Sequence, residues 1–181
     1  LDLDQLTVAQ AMPGDGVRIL VAVADVDALV SQGDALDDHA RHNTASVYTA
    51  AEKFPMLPDR LSTDLTSLNF NADRPAVVVY MTIAANGEVQ QSDIYRATVR
   101  SQAKLAYNSV AAWLEGTGPQ PEPIGAAPGL DQNLRLQSTV AQSMKNLRHV
   151  NGALRLETVE AKPVFEGEHL SDLQVERKNL A

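Results

Sequence analysis

Cysteine is absent from all 181 residues of this chain. Disulfides, thiolate nucleophiles and cysteine-bound zinc are therefore excluded, and a cytoplasmic location is the expectation. Long apolar runs are missing too. None reaches the roughly 18 residues that would argue for a membrane helix, and no basic, apolar leader opens the sequence, so no membrane partner is expected. Basic charge is scarce: Lys and Arg number 15 against 23 Asp and Glu, a net charge of −8. A simple nucleic-acid clamp should be basic, whereas a site that holds divalent cations on carboxylates is acidic when empty. The histidines His39, His42, His149 and His169 show no metal-ligand spacing, and His39 and His42 read as surface residues without a third ligand. The length suffices for one domain with a sizeable core. The first residue is Leu inside a patterned stretch, so the chain reads as a piece of a longer protein.

The chain opens LDLDQL. In an extended strand, residues two apart share a face. Asp2 and Asp4 then project together and Gln5 lies on the other side. Two carboxylates so close repel each other unless a cation lies between them. Alone, such a run would also suit a solvated strand end.

After this run, LTVAQA (6–11) and VRILVAVADV (17–26) read as a hairpin, the second strand apolar enough to be buried on both faces. A short helix is expected over 34–43, then a brief strand at SVYT. An irregular, proline-bearing segment follows, with one helical turn after Ser62. AVVVYMTIA (76–84) and EVQQSDIYRATVR (88–100) should pair across the Asn86-Gly87 turn. Ser101 is a candidate cap for a helix QAKLAYNSVAAWLEG, with Leu105, Ala106, Val110, Trp113 and Leu114 as its buried stripe and Tyr107 at the stripe's edge. A Pro/Gly-rich connector is expected at about 116–129. Beyond it a long helix over about 131–150 buries Leu136, Val140, Met144, Leu147 and Val150, and stops at Asn151-Gly152. ALRLETVE and KPVFEG read as strands, and LQVERKNLA closes the chain. The mixture has no βαβ rhythm, so the fold class is α+β, a mixed or antiparallel sheet with packed helices.

Taken in order, ADV (24–26), LDDHAR (36–41), SVY (46–48), PMLP (55–58), LSTDLTSL (61–68), SQAKLAYNSVAAWLE (101–115) and NGALRLE (151–157) strongly resemble the ribonuclease II catalytic domain, the RNB domain. The likeness covers essentially the whole chain. It implies the N-terminal part of a partial RNB-type catalytic domain over 1–181, the connector at 116–129 lying within it. It further implies 3′-to-5′ exoribonuclease activity, hydrolysing single-stranded RNA processively to nucleotide 5′-monophosphates with magnesium (Mg2+). The family signature is one Asp followed at short distance by Asp-Leu-Asp-Asp. Asp2-Leu3-Asp4 is similar to the start of that run, so the resemblance gives Asp2 and Asp4 the catalytic and metal-holding roles. The first Asp of the signature would precede residue 1, and Gln5 replaces the last. Gln5 offers a cation a neutral carbonyl oxygen but no charge, so weaker or looser metal binding is expected. Tyr107 matches a family position whose ring stacks on a base near the RNA 3′ end. Such stacking is indifferent to sequence and contributes about 1–3 kcal/mol per base.

Other basic residues read more plainly. Arg96, Arg100 and Lys104 either track phosphates or are solvated surface charges, the latter favoured because the spacing crosses a strand–helix junction. Trp113 is expected in the core. The resemblance also implies that the rest of the catalytic domain and flanking OB-fold RNA-binding modules lie elsewhere in the parent protein. Two alternatives stay open: an RNA-binding relative with weakened or lost catalysis, which Gln5 favours, and a structural or regulatory fragment without an RNA role, which the acidic charge favours.

Overall fold

The computed structural model describes residues 3–49, 52–154, 160–167 and 169–176. Its centre is an antiparallel four-stranded sheet in the order β1-β2-β5-β6, formed by β1 (Gln5–Ala11), β2 (Val17–Ala24), β5 (Asp73–Ile83) and β6 (Val89–Arg100). The valine-rich β2 lies between β1 and β5, as its unbroken apolar run requires. Alternation divides its side chains between two cores. Ile19 joins Ala9, Ile83 and Val140 on one face, while Ala22 joins Leu68, Ala76 and Val78 on the other.

Between β2 and β5 the chain forms α1 (Ala35–Asn43), a small hairpin of β3 (Val47–Tyr48) and β4 (Lys53–Phe54), and a wide helical turn at Leu61–Leu65. That turn agrees with the single turn expected after Ser62. Asp34 caps α1 by accepting a hydrogen bond from the Asp37 N–H at 2.8 Å. The β5–β6 turn uses Gly87 at φ +89°, and a Cβ there would lie 2.5 Å from the Ser143 backbone. Asn-Gly at this turn thus serves both chain reversal and the close approach of the backbone at Ser143.

The helical layer is α2 (Tyr107–Leu114), α3 (Glu122–Ala126) and α4 (Leu130–Val150). Val110, Trp113 and Ile124 form its core, with Leu105, Leu114, Leu130 and Leu134 against them. The Arg135 guanidinium lies over the Trp113 ring at 4.4 Å. Against the sheet, α4 covers β1 and also closes that strand's free edge. Asn133 accepts from the Ala9 N–H at 3.1 Å and donates to the Ala9 carbonyl at 2.7 Å. Gln137 meets Thr7 through its side chain, accepting from the Thr7 hydroxyl at 2.6 Å. A final hairpin pairs β7 (Glu160–Glu166) with β8 (His169–Glu176).

Three expectations need correction. The helix expected from Ser101 begins only at Tyr107. Ala106 is extended, α2 has no side-chain cap, and the Ser101 hydroxyl donates to the Ala103 carbonyl instead. Residue 101 is held outside the helix by a bridge to Phe70 and by the Asn71 N–H, which donates to its carbonyl. The connector at 116–129 is not bare linker, because it contains α3, whose Ile124 is only 1% exposed. Val150 was placed in the buried stripe of α4, but it is 84% exposed in the last turn, beyond the sheet's cover. The strand expected at 153–160 falls mostly outside the described residues.

Candidate RNA-end and metal site

Asp2 lies outside the described residues. The run after it is held by backbone contacts on two sides. The Leu3 N–H donates to Ser67 Oγ at 3.1 Å, and the Leu68 N–H donates to the Leu3 carbonyl at 2.6 Å. Across the sheet, the Ala24 N–H donates to the Asp4 carbonyl at 2.9 Å. Ser67 and Leu68 are both buried, so the segment LSTDLTSL forms a firm support for the start of β1. This leaves Asp4 exposed, and among the described residues its carboxylate makes no hydrogen bond or ion pair.

Gln5 opens β1 opposite Val23. Its side-chain amide donates to the Tyr107 hydroxyl at 3.0 Å. Two residues picked out separately in the sequence are thereby brought together. Tyr107 is the first residue of α2 and is 64% exposed, while Val110, Ala111 and Trp113 anchor the helix behind it. An exposed aromatic side chain is thus tied to Gln5, the residue that follows Asp4.

Sequence reasoning passed over Asp25, which is only 4% exposed. Its N–H donates to the Pro75 carbonyl at 3.2 Å, and its carboxylate lies 3.1 Å from Arg96 Nε. The signal was present, since an acid follows directly on the apolar run of β2. Arg96 also pairs with Asp27. The Asp27 hydrogen bond, followed by the charges of Asp25 and Asp27, raises the guanidinium pKa further. Arg100 forms a two-pronged pair with Asp73 at 2.6 and 2.7 Å, which holds the Asp73 carboxyl below its ordinary range. Both arginines are therefore engaged within the protein. His39 and His42 are exposed, as expected. Among the described residues no three His, Asp or Glu side chains cluster as a ready metal cage, and no helix is long and apolar enough to cross a membrane.

The family model for the RNB domain matches residues 1–181. The chain belongs to the RNB-domain family. This RNB segment is 37% identical over 150 residues to exoribonuclease 2 of Escherichia coli, which is 82% of the chain but 23% of that protein. The same protein of Shigella boydii matches equally. Among solved structures, it is similar to Mycoplasma genitalium RNase R in complex with ribose-methylated single-stranded RNA, with a TM-score of 0.86 and 26% identity, covering 99% of this chain and 27% of that one. Yeast Ssd1, described as a pseudonuclease, matches with a TM-score of 0.65 at 16% identity over 80% of this chain and 16% of its own, a likeness that shows the fold alone. The RNB segment thus spans about a quarter of the length of these relatives.

Proposed function

We propose that this RNB segment is the acid-bearing N-terminal part of a 3′-to-5′ exoribonuclease domain. In this reading the enzyme hydrolyses single-stranded RNA processively to nucleotide 5′-monophosphates. The observation that carries it is the 3.0 Å hydrogen bond that joins Gln5, the residue after Asp4, to the hydroxyl of the exposed Tyr107. Tyr107 receives a 3′-terminal base by stacking, which any base can satisfy. In this reading the acids of the run, Asp4 among them, act on the last phosphodiester.

The donor set fits magnesium. It consists of hard oxygens, with the Asp4 carboxylate exposed and uncommitted among the described residues. Magnesium needs only one or two protein carboxylates when waters and substrate phosphates supply the remaining positions. When bound it would activate a water and offset charge on the phosphate. The protein's own share is to hold the Asp4 backbone rigidly between Ala24 and the Leu68 segment, and to seat the RNA end on Tyr107. The rest of the catalytic domain and OB-fold modules, in a cytoplasmic parent protein, complete the proposal.

Gln5 favours a second reading, that of an RNA-binding relative with weakened or lost catalysis. Its amide is neutral and its nitrogen is engaged by Tyr107. The test uses the full-length protein and its Asp4→Asn variant with 3′- and 5′-labelled single-stranded RNA, with and without magnesium. Release of mononucleotides from the 3′ end by the wild type alone supports the enzyme. Binding by both without cutting at any magnesium level supports the second reading.

A further inference from the structure

Gln5 and Tyr107 lie 102 residues apart in sequence, yet one hydrogen bond joins their side chains. The backbone of Tyr107 is fixed, because the buried residues of α2 follow directly. Its ring is not caged in this way, being exposed on the first turn. Among the described residues no other hydrogen bond reaches its hydroxyl. Gln5 is in turn fixed by its strand pairing with Val23.

The polarity of this bond requires an amide. The Gln5 N–H donates and the phenol oxygen accepts, which leaves the phenol proton free for another acceptor. A carboxylate at position 5 accepts only, and would have to draw on that proton. An aspartate is also one methylene shorter. The amide nitrogen that holds the phenol cannot ligate a cation.

We propose that Gln5 is a positioning residue for Tyr107: its amide sets the swing of the ring, and so the place at which the terminal base of an RNA stacks. The proposal rests on the RNA-end reading above and gives position 5 a role apart from holding metal.

The test is metal-free RNA binding by the full-length protein. A single-stranded RNA carries 2-aminopurine as its 3′-terminal base, and EDTA prevents cutting. Stacking on the ring quenches the fluorescence. Wild type should quench, and Tyr107→Ala should lose most of the quench. Gln5→Ala and Tyr107→Phe should each shift half-saturation by about two- to tenfold. The double variant should be no worse than either single one, because both remove the same bond. Gln5→Met keeps the side chain's length, lacks a donor, and should behave like Gln5→Ala. If the Gln5 variants match wild type without metal while Tyr107→Ala fails, the positioning role is wrong and the RNA-end reading survives. Full additivity of Gln5→Ala and Tyr107→Phe also overturns it. If wild type binds the RNA without quenching, or does not bind it, the RNA-end reading fails and this proposal falls with it.

Discussion

Asp4 and Asp25 are both aspartates at the end of the β1–β2 ladder, yet their surroundings give them opposite parts. Asp4 is exposed and uncommitted among the described residues, so a cation can reach it. Asp25 is buried against Arg96, and an unpaired buried carboxylate is costly. Arg96→Ala should therefore lower the thermal midpoint of this domain by more than Arg100→Ala, which breaks a pair exposed on both sides. Scanning calorimetry of the two variants makes the comparison. Glycines divide in the same way. Gly129→Ala meets open space at φ +75° and should cost about 1–2 kcal/mol for the left-handed backbone. Gly87→Ala adds a collision with the Ser143 backbone and should cost clearly more in urea denaturation.

Elements with strong patterning were legible in the sequence. The apolar run of β2, the Asn-Gly turn and the long amphipathic helix each obey a local rule, and each formed where that rule placed it. The start of α2 did not, because Ser101 is held by Phe70 and Asn71, contacts that no helical periodicity reveals. Neither did α3, whose one buried Ile124 is invisible among prolines and glycines. Ile124→Ala should cost about 2–5 kcal/mol, measured by chemical denaturation, despite lying in a segment that reads as linker. Gln5 and Tyr107 stood out in the sequence only as separate residues. Their meeting depends on how the helical layer docks on the sheet, which the sequence does not spell out. At α1, backbone hydrogen bonds from Asp37 and then Ser31 hold the Asp34 carboxyl below its ordinary 3.8. Because the folded value is the lower one, this stabilisation is present above 3.8 and is lost as pH falls through the folded value. Amide exchange in α1 should therefore speed up relative to the intrinsic rate as pH falls below 3.8. Asp34→Asn keeps an acceptor and should flatten that change.

Over the whole molecule, the negative charge and the engaged arginines argue that phosphate grip does not come from the basic residues of β6. A residue that neutralises a phosphate contributes about one unit to the salt slope of RNA affinity. In the full-length protein, Arg100→Gln should leave that slope unchanged in a titration of salt. Apolar surface is a second molecular property. Val150, the last residue of α4, and Leu154, four residues on, are 84% and 91% exposed. Expressed alone, residues 1–181 should bind a hydrophobic dye, and Val150→Ser with Leu154→Ser should reduce the signal.

The amide of Asn133 has a further consequence for where the acids point. Clasping both backbone groups of Ala9, it acts as a register pin as well as an edge cover. A slip of β1 by one residue would send Asp4 to the side now taken by Gln5, and Gln5 away from Tyr107. The aim of a carboxylate near the start of the chain is thus set by an asparagine 124 residues downstream of the strand position it holds.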